Sequence, residues 1–145
     1  RRVSHTAIDP RIKSLNYLNL VLARMEAFAA GCDEALIVDE DGDVCEAPGY
    51  NVFAVIDGVV VTPDRAILEG ITRATVLELC DPLGVPHRIL GLAPYDLFTA
   101  QEAFLTGTFG AQTPVGVIDG RQIGTGQMGG VTERLRGLYK SLVGA

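Results

Sequence analysis

The sequence predicts a mixed α/β domain, and three observations carry that expectation. Apolar residues between Ser14 and Ala30 recur at three- and four-residue steps, the spacing of a helix with one apolar face. Asp-Gly pairs at Asp41-Gly42, Asp57-Gly58 and Asp119-Gly120 interrupt short apolar runs, as antiparallel hairpins require. The stretch "GVTERLRGLYKSLVG" then closes the chain with a second long helical pattern.

The elements follow in order. Leu15, Leu18, Val21, Leu22, Met25 and Phe28 form the stripe of the first helix, and Gly31 is placed to cap its end. "EALIVDEDGDVCEAPGYNVFAVIDGVVVTP" reads as strand, Asp-Gly turn, strand, loop, strand, Asp-Gly turn, strand: an antiparallel meander. A second helix is expected from Thr72 to about Cys80, with Pro82 stopping it. "HRILGLA" is a strand candidate and "APYDLFTAQ" a short helix. "EAFLTGTF" is a buried strand entering a glycine turn, and "VGVIDGRQIG" a hairpin with Asp119-Gly120 at its tip. No repeat, low-complexity tract or internal linker divides the chain, so residues 1–145 read as one domain.

Composition narrows the function classes. A net charge of −6 argues against a binder of nucleic-acid backbones. No apolar run approaches the ~18 residues of a membrane span. Three scattered cysteines, Cys32, Cys45 and Cys80, with no CxxC pair, suggest buried thiols in a reducing compartment, which is the cytoplasm. The mean hydropathy of +0.26 fits either a large core or a face covered by another domain or subunit. The chain opens on Arg1 and Arg2 without a signal peptide, as a fragment or processed product would.

A few residues could carry chemistry. Lys13 precedes the first helix; it is a solvated charge unless burial or neighbours make it a Schiff-base nucleophile. Glu46, between apolar Val44 and a Pro-Gly turn, needs a partner if buried. Gly70 before Ile71 and Thr72 leaves free N–H groups and room for an anion at a helix start, or is simply a helix cap. Thr106, Gly107, Thr108 and Gly110 offer hydroxyls and N–H groups in what is either a second anion nest or a plain turn. His5 and His87 have no metal-ligand spacing, and no metal site is expected. Ser4 and Ser14 lack the setting of a hydrolase nucleophile. "DEDGD" lacks the glutamate and flanking helices of a calcium loop and reads as a hairpin turn.

Together these stretches resemble the class IV aminotransferases, the fold-type IV pyridoxal 5′-phosphate enzymes. "DPRIKSLNYLN" is similar to the segment carrying the family's cofactor lysine, and "EAPGYNVF" to its glutamate motif. "TPDRAILEGITR" and "FLTGT" resemble its two phosphate-binding stretches, and "IDGRQIGTGQMGGVTERL" its closing hairpin and helix. Tyr17 and the "GITR" context look most like the branched-chain amino-acid aminotransferases; D-amino-acid and (R)-amine transaminases and aminodeoxychorismate lyases share much of the pattern.

The resemblance implies roles. Lys13 would bind the cofactor aldehyde and shuttle the substrate Cα proton, and Glu46 would keep the pyridine nitrogen protonated. Tyr17 would lie by the ring face or its phenolic oxygen. The N–H groups of Ile71 and Thr72, after Gly70, would hold the phosphate with the Thr108 hydroxyl. Thr108 and Phe109 would face the substrate carboxylate. The substrates implied are a branched-chain amino acid and a 2-oxo acid such as 2-oxoglutarate, and the assembly a homo-oligomer, most simply a dimer.

The sequence departs from the family at Ala47, where glycine is usual, and at Phe109, Gly110, Ala111 and Gln112, where two small residues and an acid usually follow. The family's N-terminal small domain, which supplies a phosphate arginine and much of the pocket, has no counterpart in these residues. They resemble the large cofactor-binding domain alone. Two classes of function follow: a transaminase, or a truncated non-catalytic domain that keeps the fold.

Overall fold

A computed structural model describes residues 2–108 and 110–144. Helix α1 spans Leu18–Ala29, α2 Ile71–Cys80, α3 Pro94–Phe98 and α4 Gly130–Val143. The strands are β1 Glu46–Ala47, β2 Tyr50–Ile56, β3 Val59–Thr62, β4 His87–Ile89, β5 Glu102–Gly107, β6 Ala111–Pro114, β7 Val117–Ile118 and β8 Arg121–Gln122. The main sheet runs β4-β3-β2-β5-β6, with β1 paired to the start of β2, while β7 and β8 form a separate hairpin. All pairs are antiparallel except β3 with β4, which α2 joins as a crossover.

Both faces of the sheet are covered, so its central strands are continuously apolar. Alternate residues of β2 divide between two cores. Val52 and Ala54 join Val61, Leu92, Leu97 and Ile123 on one face. Phe53 and Val55 join Val60, Val76, Phe104 and Leu135 on the other, under α2 and α4. Phe53 and Phe104 are cross-strand partners whose rings stack with centroids 5.0 Å apart.

A carboxylate from the sheet fixes α4. Glu102 accepts the N–H groups of Val131 (2.9 Å) and Thr132 (2.8 Å) and the Thr132 hydroxyl (2.6 Å), satisfying donors that a helix start leaves unpaired. Asp57 and Asp119 both adopt positive φ, 49° and 48°, followed by Gly58 and Gly120 at 74° and 76°. These are the left-handed turns that the two Asp-Gly hairpins demand.

Several expectations need correction. The first helix begins at Leu18, not Ser14, because Asn16 N–H bonds the Ser14 hydroxyl (3.2 Å) and Tyr17 N–H the Leu15 carbonyl (3.0 Å), a local turn that competes with helix. The first strand pair of the meander shrinks to one bridge, Val38 with Val44. Between them Asp39 accepts the N–H groups of Asp41 (3.0 Å) and Asp43 (2.9 Å), and Asp39, Asp41 and Asp43 all lie against Arg65. β6 was not expected, since "AQTP" has little strand propensity; pairing with β5 imposes it. Ala47 lies outside the positive-φ residues and its methyl is buried, so glycine is not needed there; Gly49, at +86°, takes the turn. No helix among the described residues is long and apolar enough to cross a membrane.

Candidate active site

A cleft of about 460 Å³ opens between the N-terminal segment, the start of β2, the loop into α2 and the end of β5. Lys13, Tyr17, Glu46, Gly70, Ile71, Thr72 and Thr108 all line it. Residues distant in sequence meet across one opening because β2 and β5 are direct sheet neighbours and α2 starts beside them. Phe109 lies outside the described residues.

Glu46 forms the buried floor, only 5% exposed. Its Oε2 accepts the Leu68 N–H at 2.9 Å, and its Oε1 is ion-paired with the Arg2 guanidinium. Burial pushes its pKa up, while the Leu68 N–H and the charges of Arg2 and then Lys13 pull it back. The Lys13 side chain is exposed at the cleft mouth, on a segment without regular structure. Tyr17, half-buried, is the residue from which α1 starts.

The opposite wall is the start of α2. Gly70 precedes it with extended backbone, φ −69° and ψ 142°. Its lack of a side chain is a matter of space, since a Cβ would lie 2.3 Å from Asn51 Oδ1. The Ile71 side chain is 88% exposed, so what this residue brings to the cleft is its backbone. A helix start aims its unpaired N–H groups and partial positive charge outward, as an anion requires. Arg73, further along the first turn, folds back into the protein and donates to the Pro63 carbonyl at 2.9 Å, tying the helix start to the end of β3. At the third wall Gly107 passes close to Tyr50, where a Cβ would lie 2.8 Å from the ring, and Thr108 is exposed on the turn beyond β5.

Two residues at the site escaped sequence reasoning. Glu46 announced that it needed a partner, but nothing in the spacing pointed to Arg2, 44 residues away. Asn51 read as one more strand residue, yet it is buried against the loop before α2, its Nδ2 donating to the Leu68 carbonyl at 2.7 Å. Its only sequence signal was an asparagine inside an otherwise apolar strand.

The family model for amino-transferase class IV matches residues 1–118. The chain belongs to the class IV aminotransferases. The branched-chain-amino-acid aminotransferase of Pseudomonas aeruginosa is 43% identical over 128 residues, covering 88% of this chain and 42% of that protein. The crystal structure of the T.th. branched-chain amino acid aminotransferase with pyridoxamine 5′-phosphate superposes with a TM-score of 0.94 at 42% identity, covering 99% of this chain and 49% of that one. The Thermobaculum terrenum branched-chain amino acid aminotransferase, in its PLP-form, gives a TM-score of 0.94 at 39% identity, over 98% of this chain and 48% of that one. The chain thus spans about half the length of these class IV aminotransferases, and its mixed α/β fold is theirs over that span.

Proposed function

We propose that this chain is the large, cofactor-binding domain of a pyridoxal 5′-phosphate-dependent aminotransferase that moves the amino group of a branched-chain amino acid to a 2-oxo acid such as 2-oxoglutarate. The supporting observation is that an amine, a buried carboxylate and a helix start line one cleft: Lys13, Glu46 and Gly70–Ile71–Thr72. The residues fit such a cofactor. The cleft volume of about 460 Å³ is in the range of small-molecule sites. The floor carboxylate has its ionised form supported by Arg2, and Gly70 leaves the helix start without a side chain.

The cofactor, when bound, supplies an electron-accepting ring. The chain's own groups do the rest. Glu46 would hold a proton at the ring nitrogen, which demands a carboxylate kept charged despite its burial. The Lys13 amine would hold the cofactor and, when free, would accept the proton from the substrate Cα. Ile71 and Thr72 would give N–H groups to the phosphate, and Thr108 would add its hydroxyl. Tyr17 would orient the ring, and Thr108 and Phe109 would receive the substrate carboxylate. We further propose a cytoplasmic homo-oligomer, with the exposed apolar stripe of α1 as part of its covered surface.

Incubation with leucine and 2-oxoglutarate in saturating pyridoxal phosphate, followed by assay for glutamate, tests the reaction. Glutamate formation that disappears in Lys13→Ala is the expected result. Formation unchanged by that substitution removes Lys13 from the chemistry and the reading with it.

A further inference from the structure

The loop between β3 and α2 delivers the helix start to the cleft, and one residue in it is held from both sides. The Leu68 N–H donates to Glu46 Oε2 at 2.9 Å, and the Leu68 carbonyl accepts from Asn51 Nδ2 at 2.7 Å. Glu46 and Asn51 are themselves cross-strand partners in the β1–β2 pair. The Leu68 peptide groups are therefore gripped by two neighbouring side chains of one hairpin. The same Leu68 carbonyl also accepts the Gly70 N–H at 2.9 Å. The other end of the Asn51 amide, Oδ1, lies against Gly70, in the space where a Cβ would come within 2.3 Å.

We infer that Asn51 is a positioning residue for the anion-binding helix start: its amide fixes Leu68 and Gly70, and so aims the Ile71 and Thr72 N–H groups into the cleft. Asn51 acts by holding backbone, and it does so from the strand that registers with Glu46, so the carboxylate floor and the anion cradle are set by one hairpin. A buried strand asparagine whose amide donor is committed to a loop carbonyl is costly to replace: alanine loses the donor, and aspartate puts an acceptor against the Leu68 carbonyl. The inference rests on the cofactor reading above, because it assigns the cradle to a phosphate.

The test separates phosphate binding from everything else by comparing two probes, pyridoxal 5′-phosphate and pyridoxal, which lacks the phosphate. Affinities of the chain, of Asn51→Ala and of Asn51→Asp are measured for both by calorimetry. The wild-type chain prefers the phosphorylated probe, and each variant loses about tenfold or more of that preference, the equivalent of one well-placed hydrogen bond. Pyridoxal affinity changes little. Variants that keep the wild-type preference overturn the role of Asn51 and leave the cofactor reading standing. A wild-type chain with no preference overturns the cofactor reading and the inference together.

A second measurement uses the contact at Gly70. Gly70→Ala alone forces its methyl against a held Asn51 and lowers phosphate preference. In the Gly70→Ala, Asn51→Ala double variant the obstacle is gone, so the two losses are less than additive. Strict additivity means that Asn51 does not act through Gly70 and overturns the geometry proposed.

Discussion

Replacing Arg2 with Met isolates the ion pair at the floor of the cleft. The substitution keeps an apolar stem of similar length and removes both the charge and the donor facing Glu46 Oε1. The side chains of Arg2 and Glu46 are only 12% and 6% exposed, so solvent screens their interaction poorly. A hydrogen bond to a charged group of this kind contributes roughly 1.5–3 kcal/mol. Its loss removes a charge that favours the ionised carboxylate and so raises the Glu46 pKa further. The wild-type value already lies above the ordinary glutamate range because burial opposes the charge. The folded chain therefore binds this proton more tightly than the unfolded chain. The stability this contributes is complete at low pH and is lost as pH rises through the raised folded pKa. In Arg2→Met that loss extends to higher pH, so the deficit against wild type is smallest below the ordinary glutamate range and full above the variant's new pKa. Carboxyl-carbon NMR of glutamate-labelled protein follows Glu46 directly, and chemical unfolding at several pH values follows the linkage. A Glu46 titration that is unchanged in Arg2→Met would refute the account of how the floor is kept charged.

Other substitutions read the frame around the cleft. Glu102→Ala removes the acceptor of three donors at the start of α4 and is expected to cost about 2–3 kcal/mol in urea unfolding, where a change below about 0.5 kcal/mol would deny it the capping role. Burial pushes the Cys45 thiol up to about 12 and the Cys80 thiol up to about 11, so a thiol reagent near neutral pH is expected to label exposed Cys32 and to reach the other two only on unfolding; rapid labelling of three thiols would contradict the packing. The exposed stripe of Leu18, Leu22, Met25 and Phe28 on α1 is expected to drive self-association, seen by light scattering and reduced in Leu22→Lys; a chain that stays monomeric at all concentrations would show the stripe is not a contact surface.

What the sequence revealed and what it hid divide along the range of the interactions. The Asp57-Gly58 and Asp119-Gly120 turns, the cap at Gly31 and the stop before Pro82 were legible because each depends on a few adjacent residues. The apolar period of α1 was equally legible, but its meaning was not: a stripe says that one face is apolar, and here none of that helix is buried among the described residues. The parts of the cleft were legible through the motifs at Lys13, Glu46 and Gly70, which resemble one family's and keep its order. β6 stayed hidden because β5 imposes it from across the sheet. Arg2 and Asn51 stayed hidden for the same reason, since the first pairs over 44 residues and the second over 17. At Gly70, room for an anion was foreseen, but the close approach of the Asn51 side chain was not, because it comes from a strand distant in sequence.

The central claim is that the Lys13 amine carries the cofactor, and the chain's composition makes it unusually easy to test. Only two lysines are present, Lys13 at the cleft and Lys140 near the end of α4. The protein is saturated with pyridoxal phosphate, reduced with borohydride, digested and mapped by mass spectrometry. The account predicts a visible absorbance that reduction bleaches and a cofactor fixed to the peptide containing Lys13, with Lys140 serving as the internal control. Labelling of Lys140 to the same extent, or no stable label on Lys13, would contradict it.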